Sequence, residues 1–190
     1  MIIDLIEIIN DTTDTWDCQG LNIWELQEPS HNDNLINLVI KLNYHNHQIW
    51  HNEDVCRSND NSLIPNHKRA IDKHNQLRNN TIELIDEEFI KSQRSRFSSK
   101  INSETLGSII DRISITKLKI IHLEHIISGL DEDLRPKHEL KLFDLKSQYN
   151  LLKNCAYELY EDMINGHRIC VVFKQHKQYN DPVTNRYMKE

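Results

Sequence analysis

Residues 142–163, LFDLKSQYNLLKNCAYELYEDM, decide the fold. Leu142, Leu145, Tyr149, Leu152, Ala156, Leu159 and Met163 recur alternately three and four residues apart over three heptads. That spacing lines one face of an α-helix and fits no strand. Pro136 suits the first turn of this helix, because a first-turn N–H needs no partner, and Asn165-Gly166 is a stop signal. Upstream, Ile109, Ile113, Ile120, Leu123 and Ile127 make a second stripe that Gly129 ends. Asn102 or Ser103 is expected to cap that helix, with Glu104 at the positive end of its dipole.

Further back, a helix over 66–91, entered just after Pro65, carries Ile71, Ile82, Ile85 and Phe89 on one face. Asn75 and Arg78 lie between them, where the core should be. A helix over 33–58 shows Leu35, Leu38, Val39, Leu42 and Ile49, and residues 59–62 (NDNS) break it. Ile2, Leu5, Ile6 and Ile9 form the first stripe, running toward Trp16, and Gly20, Pro29 and Ser30 mark the connection that follows. Residues 91–100, KSQRSRFSSK, have four cations and no acid and read as a solvated loop able to touch phosphate. Ile169 to Phe173 is a short β-branched run, either one strand or an extended segment laid on the helices. The expectation is an all-α protein, a helical bundle of about five helices with a short extended C-terminal segment, forming a single helical domain over 1–190.

Composition agrees. Among 190 residues there are only 4 Gly and 4 Pro, too few for the many tight turns of an all-β chain. Twenty-three Lys and Arg against 29 Asp and Glu leave a net charge of −6, with a pI near 6.0. Such a chain has no field to gather nucleic acid or an anionic membrane, so any phosphate site must be local. The mean hydropathy of −0.65 reflects a surface rich in Asn, His, Lys and Glu. Cys18, Cys56, Cys155 and Cys170 form no C-x-x-C pair, which argues against a zinc clip or a disulfide framework. MIIDLIEIIN at the start carries Asp4 and Glu7, lacks a basic leader and is too short to span a bilayer. The chain is expected to be cytoplasmic, with reduced thiols and no membrane span.

Three segments concentrate chemistry. In Ile49-Trp50-His51-Asn52-Glu53-Asp54-Val55-Cys56-Arg57, helical spacing puts His47, His51 and Asp54 on one face and Trp50, Asp54 and Arg57 on the next, with Glu53 in reach of Arg57. A His one turn from a carboxylate suits a divalent metal or an acid/base pair, and a surface salt bridge beside a half-buried Trp is the plainer alternative. In residues 67–79, HKRAIDKHNQLRN, Arg78 is the informative position. A guanidinium on an apolar stripe needs a partner, whether Asp54, Asp72, Asp111 or a ligand. In residues 101–112, INSETLGSIIDR, a helix start with Ser108 and Asp111 on one side offers free N–H groups to a phosphate. No Walker loop is present, and a capped helix with one buried Asp is the simpler reading. His31, His45, His122, His125 and His138 are expected at the surface.

The motifs IWHNED-x-x-R, KRAIDKHNQLRN, INSETLGSIIDRISI and FKQHKQYNDP, in this order, resemble the successive signatures of the bacterial domain-of-unknown-function-4254 family over nearly the whole chain, Ile2 to Asn185. The chain departs from that pattern at Leu106, at Asn80 and at Gln175-His176. The resemblance carries over Trp50, His51, Glu53, Asp54 and Arg57; Lys68, Arg69, Asp72, Asn75 and Arg78; Asn102, Ser103, Glu104, Gly107, Ser108, Asp111 and Arg112; and Lys174, Tyr179, Asn180, Asp181 and Pro182. It brings no activity. It implies only an association with the glycosyltransferases of surface-glycan synthesis, which makes such an enzyme a candidate partner.

Two functions follow as expectations. In the first, the helices bring their polar segments to one inward-facing site for a phosphorylated small molecule, a nucleotide or nucleotide sugar. His51, Glu53, Asp54, Asp72 and Asp111 would supply acid/base chemistry, and Asp54, Asp72 and Asp111 would hold Mg²⁺. Trp50, Arg57, Asn75, Arg78, Ser108 and Arg112, with Lys174 and Tyr179 added by the resemblance, would bind the ligand. In the second, the polar cluster is an internal network of a non-catalytic homo-oligomeric accessory protein, and the heptads over 142–163 bury against another subunit.

Overall fold

A computed structural model describes residues 1–18, 26, 28, 34–93, 100–177, 183–185, 187 and 188. Among the described residues five helices run in order: α1 (Ile2–Cys18), α2 (Leu35–Val55), α3 (Ile64–Lys91), α4 (Leu106–Ser128) and α5 (Arg135–Ile164). The architecture is the expected all-α bundle. Short joints over 56–63 and 129–134 make α2 with α3 and α4 with α5 two helical hairpins, and α1 packs on α2, α4 and α5. No described helix is long and apolar enough to cross a membrane.

Local chemistry sets the ends. Asn34 caps α2 by accepting the Asn37 N–H at 2.9 Å. Pro65 and Pro136 lie in the first turns of α3 and α5, and Asn165 ends α5 ahead of Gly166, whose φ of 76° is cheap only without a side chain. The cap of α4 is Thr105 rather than Asn102 or Ser103. Its Oγ1 accepts the Ser108 N–H at 3.1 Å, and Asn102 is turned to the Glu104 carbonyl instead. A second acceptor sits at the same helix end: the buried Asp86 takes the Gly107 N–H at 2.7 Å. A Cβ on Gly107 would lie 2.8 Å from both Asp86 Oδ1 and the Ile82 carbonyl, so glycine is what lets α3 and α4 approach here.

The core draws on every helix, with Ile2, Leu42, Phe89, Ile110 and Met163 among its members. The heptad stripe of α5 supplies Leu152, Ala156, Leu159 and Met163 to this core, while Leu142, Leu145 and Tyr149 are half-buried. After α5 the chain is extended, joined to Ile101 by a single parallel bridge at Ile169, and residues 170–173 form no described strand. The Gly20-Pro29-Ser30 connection and most of the basic segment over 91–100 lie outside the described residues.

Helix α2 is the exception to amphipathic design. It packs on α1, α3 and α4, and residues 42–48 are all buried. An enclosed helix has no solvent face on which to put polar side chains. Its Asn43, His45, Asn46, His47 and Gln48 are therefore inside the protein.

Candidate functional site

Two of these buried amides organise the space between α2 and α4. Asn43 Nδ2 donates to Thr12 Oγ1 and Thr13 Oγ1 at 2.8 and 2.9 Å, and Ser114 Oγ donates to Asn43 Oδ1 at 2.7 Å. Asn46 Nδ2 donates to Asp111 Oδ1 at 2.9 Å and to Ser114 Oγ at 3.0 Å. The chain of bonds ties α1, α2 and α4 together and holds Asp111 facing α3. Opposite it, Arg78 Nε stands 4.0 Å from Asp111 Oδ1, an ion pair longer than a hydrogen bond. Burial pushes the Asp111 carboxyl above its ordinary pKa, while Arg78 and the Asn46 bond oppose that rise.

This ion pair lies beside a pocket of about 410 Å³, in the size range of small-molecule sites. Its walls are Asn46, Ile49, Trp50, Glu53, Asp54 and Arg57 of α2, Arg78 of α3, and Ile115 and Leu118 of α4. At the mouth Arg57 binds Glu53 at 2.9 Å, and Lys68 approaches Glu53 at 3.5 Å. Two guanidinium groups and two carboxylates thus line one pocket with apolar side chains between α2, α3 and α4. Among the described residues Arg78 Nε and Asn46 Oδ1 are buried and take no hydrogen bond. An orphaned donor and an orphaned acceptor lining one pocket are costly, and such groups concentrate where ligands bind.

Behind Trp50 lies an aromatic tier. Its indole stacks on His122 at 4.8 Å with 2° between the planes, His51 meets His122 edge-on at 5.6 Å, and His47 lies 6.4 Å from His51. Trp16 closes the tier edge-on to His47 at 4.9 Å. Neither nitrogen of His47 has a described hydrogen bond. Burial, with lesser repulsion from His51 and His122, pushes its pKa down to about 3, so the ring is neutral. On the α3 side, His45 and His74 share one proton between their Nδ1 atoms at 3.1 Å, and burial followed by the charge of His74 lowers His45 to about 4. The surface expectation for His45 is therefore corrected, because α2 is enclosed on that side too. His122 is half-buried rather than exposed, since Trp50 covers it.

Of the candidate residues, Trp50, Glu53, Asp54, Arg57 and Arg78 line the pocket, with Asp111 behind Arg78. His51 lies one layer back. Asn75 is half-buried one turn before Arg78, and Asp72 is exposed. Ser108 accepts the Thr105 hydroxyl proton at the α4 cap, at 2.9 Å. Arg112 points to the other side of α4, where Glu104 holds it at 2.6 Å, and Lys174 is held by Glu83 and Glu87 at 3.2 and 2.6 Å on α3. Both cations are thus removed from the pocket by nearer carboxylates. Tyr179 lies outside the described residues, as does His31. No group of three or more His, Cys, Asp and Glu side chains able to hold a metal ion occurs among the described residues, so Asp54, Asp72 and Asp111 do not come together as one.

A family model described as a protein of unknown function, DUF4254, matches residues 36–172. The chain belongs to the DUF4254 family. The matched span covers α2 to α5 and so includes every wall of the pocket. No curated protein and no solved structure matches the chain.

Asn43, Asn46, Ser114 and the apolar walls Ile115 and Leu118 were missing from the expected site, and His47 was named only for sharing a face with His51 and Asp54. A signal for the two asparagines exists. Residues 42–52, LNYHNHQIWHN, are a helical stretch without one Lys, Arg, Asp or Glu, whereas a solvated helix face is usually charged.

Proposed function

We propose that the α2–α3–α4 pocket binds a phosphorylated small molecule of the nucleotide or nucleotide-sugar class. The carrying observation is the meeting of Arg57 and Arg78 with the indole of Trp50 around one hollow of about 410 Å³. Guanidinium groups match phosphate oxygens in pairs, and an indole offers a face for a base or sugar ring. Glu53 and Asp54 stand at the mouth, suited to ligand hydroxyls or to Mg²⁺ arriving with the phosphates. Mg²⁺ bound to a phosphate needs only one or two protein carboxylates, and the pocket offers two. Asp111, itself held by Asn46, stands 4.0 Å behind Arg78 as its counter-charge.

Thermal melting with nucleoside diphosphates and nucleotide sugars, with and without Mg²⁺, tests this reading. A bound ligand at 100 times its Kd adds about 2.7 kcal/mol, a rise of several degrees. The rise should vanish in Arg78→Ala and survive in Arg112→Ala, whose guanidinium lies outside the pocket. No rise with any ligand would remove the proposal.

A second reading is favoured by the closed bonding of Asp111, Asn46, Ser114, Asn43, Thr12 and Thr13: the polar groups fix helix packing and bind nothing. Under it Arg78→Ala costs about 3–5 kcal/mol by stranding Asp111, while no ligand raises the melting temperature.

A further inference from the structure

The α2 wall of the pocket has a direction. Asn46, Ile49 with Trp50, Glu53 with Asp54, and Arg57 follow one another at three- and four-residue steps along one side of the helix, over about 16 Å. On α4, Asn46 is bonded to Asp111 and Ser114 and Trp50 is stacked on His122, so Ile115 and Leu118 lie between those two levels. The pocket therefore runs from a polar inner end at Asn46 and Arg78, through an apolar middle that includes the indole, to a charged mouth at Glu53, Asp54 and Arg57.

The two ends ask for different chemistry. Asn46 spends its Nδ2 on Asp111 and Ser114, which leaves Oδ1, an acceptor, with no hydrogen bond. Arg78 Nε, a donor with no hydrogen bond, stands 4.0 Å from the same Asp111 oxygen. An ionised phosphate has no hydrogen to give Asn46, and the Asp111 carboxylate repels it. A group that carries an N–H beside a carbonyl or a bare ring nitrogen satisfies both orphans at once, and the edge of a nucleobase is such a group. At the mouth, Arg57 gives Nη1 to the Glu53 carbonyl at 2.7 Å and to its carboxylate at 2.9 Å, and its other nitrogens have no partner among the described residues. Lys68 stands 3.5 Å from the same Glu53 side chain, so two cations answer one acid there. Asp54 beside them makes no ion pair among the described residues and suits a ribose hydroxyl or the Mg²⁺ that travels with phosphates.

We propose that the ligand lies base inward, with the edge of its base between Asn46 Oδ1 and Arg78 Nε, its ring on the face of Trp50 that His122 leaves open, and its phosphates at the mouth on Arg57 and Lys68. This direction rests on the nucleotide-class reading of the pocket and adds a requirement to it: the ligand must carry a base with a free N–H, and Arg78 reads that base while Arg57 holds the phosphate.

Calorimetric titration with uridine, guanosine, adenosine and cytidine, and with their 5′-diphosphates, tests the direction. Arg57→Ala should weaken a diphosphate about tenfold or more and its nucleoside less than about twofold, whereas Arg78→Ala should weaken both by the same factor. Methylating the donating base nitrogen (N3 of uracil, N1 of guanine, or twice on the exocyclic amine of adenine or cytosine) should weaken binding to the unaltered protein by about tenfold, a result that needs no variant to fold. An Arg78→Ala protein that loses the diphosphate and keeps the nucleoside overturns the base-inward direction, as does a methylated base that binds like its parent. In either case diphosphate binding itself stands, and with it the nucleotide reading. Silence from every one of these compounds removes both.

Discussion

Replacing His47 by Leu should make the protein resist acid. His47 is fully buried, neither ring nitrogen has a described hydrogen bond, and its pKa is lowered to about 3. In the unfolded chain the ring takes a proton below about pH 6.5. The unfolded state therefore holds the extra proton between pH 6.5 and about 3, and stability is lost as pH falls through that window. At pH 5 the difference is about 1.5 pH units, or about 2 kcal/mol at 1.36 kcal/mol per unit. Urea unfolding followed by circular dichroism at pH 7 and pH 5 measures it directly. His47→Leu, similar in volume and without a titrating group, should lose about 2 kcal/mol less than the parent between the two pH values. Equal losses in the two proteins would show that the ring is solvated or paired in the folded state, and the enclosed reading of α2 would fail with it.

Other substitutions test neighbouring parts of the account. Asp86 has the opposite sign: burial raises its pKa to about 6, so the folded state takes its proton first and the cost of burial is relieved as pH falls from 6 toward 4. Asp86→Asn abolishes that relief and should lose about 1 kcal/mol more than the parent between pH 7 and pH 5, read by the same urea titrations. Gly107→Ala puts a methyl group 2.8 Å from Asp86 Oδ1 and the Ile82 carbonyl and should cost about 1–3 kcal/mol in chemical denaturation. Asn43→Leu leaves the Thr12, Thr13 and Ser114 hydroxyls without their amide and should cost about 1–3 kcal/mol, with faster exchange of the α1 amide protons.

The helices were legible because each peripheral helix must present an apolar stripe to one core and polar residues to water. Ile2 to Ile9 in α1 and Leu152 to Met163 in α5 do this plainly. Helix α2 gave a weaker signal, since a helix enclosed by three others buries residues at every angle and its amides and imidazoles read as surface polarity. His45 was misplaced for that reason. The pocket was half legible: Trp50, Asp54, Arg57 and Arg78 stood out as charges or large rings beside apolar positions. Arg112 and Lys174 are chemically alike to them and point elsewhere, because their direction depends on Glu104, Glu83 and Glu87 from other turns and helices. For Asn46 the uncharged run over 42–52 marks only the stretch and not the residue. A neutral amide reveals its role only when Asp111 and Ser114, more than sixty residues away in the chain, are brought to it.

Nuclear magnetic resonance of the Arg78 Nε–H and Trp50 indole N–H during addition of a Mg²⁺–nucleoside diphosphate is the most direct test of the pocket. Binding at the α2–α3–α4 hollow predicts that both signals move together and saturate at one ligand per chain, while the indole of Trp16, on the far side of the His tier, moves less. Arg78 and Trp50 signals that stay still through the titration, or shifts confined to residues outside the pocket, would contradict it.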